Sequence, residues 1–244
     1  MKDHFSTESE KYAQFRPHYP SEFFGYLNEI TSHKEIAWDC GTGNGQVAFE
    51  LARSFDKVFA TDISQAQIDQ SIAADNIHYS VQPAEKSSFP DYFFDLIVVA
   101  QAIHWFNFDK FYAEVRRTVK NDAILCVVGY GRVSVSEEID QVIDIFYQNI
   151  IGPYWDKERK YIDEYYQTIP FPFQELTTPD LSIDLEWTFE HFMGYLNTWS
   201  AVKKFISKNN YNPVTELQSA LNDHWASDTL KKVSFPLLLR VGHT

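Results

Sequence analysis

Residues 35–55 read Glu-Ile-Ala-Trp-Asp-Cys-Gly-Thr-Gly-Asn-Gly-Gln-Val-Ala-Phe-Glu-Leu-Ala-Arg-Ser-Phe, and the fold follows from how they are read. Ile36, Ala37, Trp38 and Cys40 form a short apolar run, as in a strand covered on both faces. Gly41, Gly43 and Gly45 follow at alternate positions, then Val47, Ala48, Leu51, Ala52 and Phe55 at helical spacing. Strand, glycine turn and amphipathic helix make the first half of a βαβ unit whose helix N-terminus faces a ligand. Glycine serves where the backbone takes positive φ or must meet the ligand with no Cβ between.

Outward from this stretch, residues 57–61 (Lys-Val-Phe-Ala-Thr) predict the next strand, with Asp62 at its carboxyl end, 21 residues after Gly41. An acidic side chain there can accept both hydroxyls of a ribose. Ser64 and Gln67 predict a capping box that starts the next helix. Two classes of nucleoside cofactor use this layout. Dinucleotide enzymes prefer G-x-G-x-x-G, with a pyrophosphate at the helix N-terminus. Here the spacing is G-x-G-x-G, preceded by Asp39. A carboxylate beside the loop repels a pyrophosphate but suits a cationic amino-acid head group.

Further strands are expected at 77–81, 95–100 and 123–128, alternating with helices. Phe108, Phe111, Tyr112, Val115 and Val119 mark the helix before the last of these. Such alternation calls for a parallel sheet with helices on both faces and right-handed crossovers. After Gly129-Tyr130-Gly131 the pattern turns mostly helical. Ile139, Val142, Ile143, Phe146 and Ile150 form one stripe, and Tyr161, Tyr165 and Tyr166 lie in a short helix. A strand at 181–189, helices at 191–208 and 213–226, and a final strand at 233–241 complete the chain. Ahead of the sheet, 11–15 reads as helix, Pro17 and Pro20 interrupt, and Ser21 caps a helix carrying Phe23, Phe24, Leu27 and Ile30.

The 244 residues suit one domain with a cap, and 44% hydrophobic content is ample for a core. An aromatic share of 16% leaves rings for a pocket as well. The net charge of -13, with no Lys/Arg cluster longer than a pair, argues against a nucleic-acid partner. Cys40 and Cys126, both in predicted strands, suit a reducing compartment. With no apolar leader at the start and no run of transmembrane length, the expectation is a cytoplasmic protein without a membrane partner. No metal site is expected, and the sequence leaves the oligomeric state open.

Trp38-Asp39-Cys40-Gly41-Thr42-Gly43-Asn44-Gly45 resembles the first motif of class I S-adenosylmethionine-dependent methyltransferases. Ala60-Thr61-Asp62-Ile63-Ser64 resembles that superfamily's second, ribose-binding motif. Four further stretches are similar to the trans-aconitate methyltransferase-like branch: 12–20, Pro83-Ala84-Glu85, Ala100 to Phe106, and Thr198-Trp199-Ser200. The resemblance implies a Rossmann-like α/β fold with a seven-stranded, mostly parallel sheet and an antiparallel last strand. Residues 1–244 would form a single domain, with an N-terminal lid at about 1–34 and a helical cap at about 131–228 over the carboxyl ends of the strands.

It also implies S-adenosylmethionine as cofactor and a small-molecule acceptor. Asp39, Gly41 and Gly43 would hold the methionine part, and Asp62 and Ile63 the ribose and one adenine face. Pro83 departs from the acidic residue common there, which leaves the Ala84 amide and Glu85 for the adenine. Gln101 would touch the methionine portion. His104 and Trp105 would border the transferred methyl, or else fill the core. Tyr12, Tyr19, Trp105 and Trp199 are the candidate rings for the sulfonium. A carboxylate acceptor needs a cation, for which Arg16 stands first, although Arg16 suits the cofactor's own carboxylate equally. A hydroxyl or amine acceptor needs a base, and His104 is the residue that titrates near neutrality. A non-catalytic cofactor-binding module acting through a partner protein is the alternative reading.

Overall fold

A computed structural model describes residues 15–226 and 229–244. At the centre of the sheet lies β1 (Ile36–Cys40), flanked on one side by β2 (Lys57–Asp62) and β3 (Ile77–Val81). On the other side stand β4 (Phe94–Ala100) and β5 (Val119–Tyr130). All four pairings are parallel. Chain order reverses between β1 and β4, and ligand crevices open at the carboxyl ends of strands at such a point.

The apolar strands sort their side chains by alternation. Ala37, Val58, Ala60, Leu96, Val98 and Cys126 pack with α1 (Ser21–Ile30) and α2 (Gln46–Leu51). The single-turn α3 (Gln65–Ile68) follows β2, and α4 (Phe108–Thr118) covers the opposite face. There Trp38, Cys40, Ile97, Val99, Leu125 and Val127 meet Phe111, Tyr112 and Val115. The Asn107 side chain caps α4 by accepting from the Lys110 amide at 3.1 Å. No helix bridges β3 to β4. The connection carries Pro83 and Pro90, and packs Phe89 and Phe93 against Phe59 and Phe94 instead.

Three more strands, β6 (Gln174–Glu175), β7 (Ser182–Trp187) and β8 (Lys231–His243), close the sheet antiparallel. The described residues thus hold eight strands rather than seven, the two-residue β6 being the addition. β8 serves twice. Its first half pairs with β7 up to Pro236, and its second half pairs with β5 from Leu237. Proline offers no N–H to a ladder, which suits the residue where partners change.

Between β5 and β8 the helices α5 (Glu137–Ile145), α6 (Lys160–Asp163), α7 (Phe189–Asn197), α8 (Ser200–Asn209) and α9 (Val214–Leu221) gather over the sheet. All but α6 share one apolar cluster that includes Ile139, Phe192, Leu196, Trp199, Val202 and Trp225, while Ile162 of α6 joins the cluster of Trp38, Ile97 and Phe111. The helix expected at 191–208 is two, because Thr198 returns its hydroxyl to the Tyr195 carbonyl at 2.6 Å and Trp199 is extended. The short tyrosine helix ends at Asp163, since Tyr165 and Tyr166 are left-handed at φ 55° and 61°. Ser21 opens α1 without capping it, with Pro20 at the N-cap. No helix among the described residues is long and apolar enough to cross a membrane.

Candidate active site

The turn after β1 is made of backbone. Gly41, Gly43 and Gly45 have φ of 76°, 56° and 84°. The amides of Gly41 and Thr42 both donate to the Thr61 carbonyl, at 2.8 and 2.9 Å, which ties the loop to the end of β2. A Cβ on Gly41 would lie 2.7 Å from the Ala102 Cβ, and one on Gly45 would collide with the Tyr79 hydroxyl.

Behind the loop, Asp39 is fully buried. It accepts from the Thr42 hydroxyl at 2.5 Å and from the Ala48 amide at 2.9 Å. The carboxylate thus caps the first turn of α2, where Gly45 at the N-cap has no side chain to offer. Burial pushes its pKa up to about 7, the Asp62 charge adds to this, and the two hydrogen bonds oppose it. Asp62 accepts from the Gly43 amide at 3.0 Å and from the Ser64 amide at 2.9 Å. This replaces the expected capping box, for Ser64 makes no side-chain cap and Gln67 turns inward.

Above the loop opens a crevice. Gly41 to Asn44 form one side, Asp62 to Ser64 the next, and Arg16, Pro17 and Tyr19 a third. An inner chamber adjoins it, lined by His104, Trp155, Asp156, Arg159, Tyr195 and Thr198 among others. Arg16, Gln101, Trp105 and Tyr130 line both spaces and so form the partition. Gln101 is left-handed at φ 53°, a conformation that costs a non-glycine residue roughly 1–2 kcal/mol. Its amide donates to the Val128 carbonyl at 2.8 Å and its side chain to the Tyr130 carbonyl at 3.1 Å. Arg16 donates to the Tyr130 hydroxyl at 3.1 Å and to the Thr198 carbonyl at 3.4 Å, and its guanidinium lies 5.4 Å from the Tyr195 ring.

Of the residues singled out from sequence, Arg16, Tyr19, Gly41, Gly43, Asp62, Ile63, Gln101 and Trp105 line the crevice. Tyr12 and most of the 11–15 helix lie outside the described residues. Asp39, Ala84, Glu85 and Trp199 line neither space. Ala84 is buried against the core, and Glu85 accepts from the Asn107 amide at 3.0 Å. Trp199 stands one layer behind the chamber, its ring 5.7 Å from Trp155 and 5.8 Å from Tyr195. His104 faces the inner chamber only, with Nδ1 3.2 Å from the Tyr166 hydroxyl. Burial, helped by the Arg159 charge, brings its pKa down to about 3, so the ring is neutral and weakly basic at pH 7. Trp155, Asp156, Arg159 and Tyr195 escaped the sequence reading. No motif or spacing marks them, and only the packing of the helical layer brings them together.

This geometry agrees with the comparisons to known proteins. A family profile described as "Methyltransferase domain" matches residues 38–127. A protein of Dictyostelium discoideum, named as a methyltransferase, is 34% identical over 223 residues, covering 90% of this chain and 85% of its own length. A solved structure described as a type II methyltransferase from Anaeromyxobacter dehalogenans superposes with a TM-score of 0.88 at 38% identity, over 94% of this chain and 98% of that one. The chain is a class I S-adenosylmethionine-dependent methyltransferase. A phosphoethanolamine N-methyltransferase of Haemonchus contortus, solved with S-adenosyl-L-methionine, shares the fold at a TM-score of 0.51 and 17% identity, over 98% of this chain and 57% of that one.

The crevice of this methyltransferase fits its cofactor. Bare backbone at Gly41 and Gly43 admits close approach, and the Asp62 carboxylate stands at the end of the neighbouring strand. The G-x-G-x-G spacing puts its third glycine, Gly45, one residue short of the helix–strand packing position of dinucleotide enzymes.

Proposed function

We propose that this methyltransferase acts on a small-molecule carboxylate bound in the inner chamber. The observation that carries this reading is the chamber's lining: two arginines, Arg16 and Arg159, beside a buried, weakly basic histidine. A hydroxyl or amine acceptor needs a base whose pKa lies near the working pH, and His104 is far below it. A carboxylate is already ionised and needs a cation to hold it. Asp156, the lining carboxylate, is engaged by Lys204 at 2.5 Å.

When bound, S-adenosylmethionine supplies a sulfonium methyl: its S–C bond breaks as a carboxylate O–C bond forms, the electron pair returns to sulfur, and no proton is released. The chain's contribution is positioning, which can remove on the order of 7–11 kcal/mol from such a barrier. In this reading Gly41, Gly43 and Gln101 hold the methionine portion, while Asp62 and Ile63 hold the ribose and one adenine face. Trp105, Tyr19 and Tyr130 offer ring faces to the cation, each worth about 0.5–2 kcal/mol. Arg16, on the partition, orients a carboxylate from either side.

The division of residues 1–244 into a lid at about 1–34 and a cap at about 131–228 belongs to the same proposal. It is supported by Arg16, Pro17 and Tyr19 at the crevice mouth. The net charge of -13 supports a small acceptor over nucleic acid, and two buried free thiols suit a cytoplasmic enzyme.

A labelled-methyl screen over small carboxylic acids, phenols and amines tests the reading. Methyl esters are the expected products, and label confined to phenols or amines would refute it. Arg16→Ala should cut turnover with the fold intact. Unchanged kinetics toward both cofactor and acid would remove Arg16 from the site.

A further inference from the structure

Arg159, at the turn leading into α6, is held by aromatic rings. Its guanidinium carbon lies 4.6 Å from the Trp155 ring centroid and 5.4 Å from that of Tyr147. Nε donates to the Tyr147 hydroxyl at 2.7 Å and sits 3.5 Å from an Asp163 oxygen, while Tyr147 donates to that same oxygen at 2.7 Å. The side chain is only 19% exposed. Among the described residues its hydrogen bond, ion pair and ring contacts are all made through Nε and the guanidinium face. Among the described residues neither terminal nitrogen has a hydrogen-bond partner, although Arg159 lines the inner chamber. A guanidinium carries four N–H donors on those two nitrogens, in a planar fork that matches a carboxylate.

Arg16 is committed differently. Its two terminal nitrogens already reach the Tyr130 hydroxyl and the Thr198 carbonyl. The two neighbouring carboxylates leave the fork of Arg159 available, because Asp156 is engaged by Lys204 and Asp163 faces Nε.

We propose that Arg159 is the acceptor-binding residue of this methyltransferase, its terminal nitrogens taking both oxygens of a small organic carboxylate in the inner chamber. The inference rests on the carboxylate reading above and adds to it a specific anchor. Each oxygen bound by one N–H keeps a lone pair for the methyl. The aromatic clamp fixes the fork beforehand, so little side-chain freedom is lost on binding. Arg16, on the partition, then bears on the geometry at the methyl rather than on acceptor affinity.

The test compares wild type with Arg159→Gln and Arg159→Lys, using labelled S-adenosylmethionine and benzoate, cinnamate and hexanoate as acceptors. Arg159→Gln should raise KM for the best of these acids by more than about tenfold and change kcat by less than threefold. Arg159→Lys, which keeps the charge but not the fork, should fall between. Cofactor Kd by calorimetry should stay within twofold in both variants. A wild-type KM in Arg159→Gln would overturn the role of Arg159 and leave the carboxylate reading standing. Equal loss of cofactor and acid affinity would also overturn it, as the mark of a chamber that merely collapsed. Methylation of phenol or aniline with none of the acids would overturn the carboxylate reading itself, and the anchor with it.

Discussion

The outer crevice is floored by backbone, from three left-handed glycines, two strand ends and an aspartate held by amides. The inner chamber is lined by residues drawn from 16, 101–105, 130–131, 155–162 and 195–200. The first is centred on the turns at 41–47 and 62–67, completed by residues 16–19, 100–105 and 130, whereas the second has no such centre and adds segments beyond 150. A backbone site tolerates little change at its glycines, whereas a side-chain site can be altered one function at a time. Cofactor binding and acceptor choice should therefore respond separately to mutation.

The largest effect expected is at the turn. Gly41→Ala forces a Cβ to 2.7 Å from Ala102 at a left-handed φ. Cofactor affinity should fall by about a hundredfold or more by calorimetry, the equivalent of roughly 2.8 kcal/mol. Normal binding would mean the crevice is not made of backbone. Next, Asp62→Asn keeps the shape but removes the charge facing the Gly43 and Ser64 amides. Cofactor Kd should rise by about tenfold to a hundredfold, with the KM for an acid acceptor moved far less.

A smaller effect lies under the loop. Because the folded pKa of Asp39 is raised to about 7 from 3.8, its contribution to stability is complete below pH 3.8 and lost as pH rises through 7. The melting temperature of Asp39→Asn relative to wild type should therefore improve between pH 5 and pH 8. A constant difference would show that Asp39 does not titrate in that window. The smallest effect is expected from His104→Gln, with turnover of an acid acceptor within about threefold of wild type. A drop of about 100-fold or more would restore His104 as the base and blur the contrast between the two spaces.

The same contrast explains what could be read from the sequence. The place of Gly41, Gly43 and Asp62 at the crevice was legible because left-handed turns demand glycine and Asp62 follows the apolar run of the neighbouring strand. The alternating strands and α4 were legible from periodicity, though α4 ends at Thr118 and Val119 already belongs to β5. Asp39 read as a ligand contact, yet its side chain turns under α2 to the Ala48 amide, a direction that spacing alone does not give. Ala84 packs its side chain into the core and Glu85 holds the start of α4, and neither lines the crevice, placements that spacing alone does not give. Arg159 carried no local signal at all. Its surroundings arise when Tyr147, Trp155 and Asp163 pack together, which is a tertiary event.

The strand β8 carries a mechanical consequence. One continuous length of chain, from Lys231 to His243, is stitched to β7 at one end and to β5 at the other. The strand thus ties β7 to β5 through one unbroken length of chain, with the change of partner at Pro236. In the lid reading proposed above, the segment of Arg16, Pro17 and Tyr19, which lines the crevice and belongs to neither ladder, is the part expected to step aside for reactants.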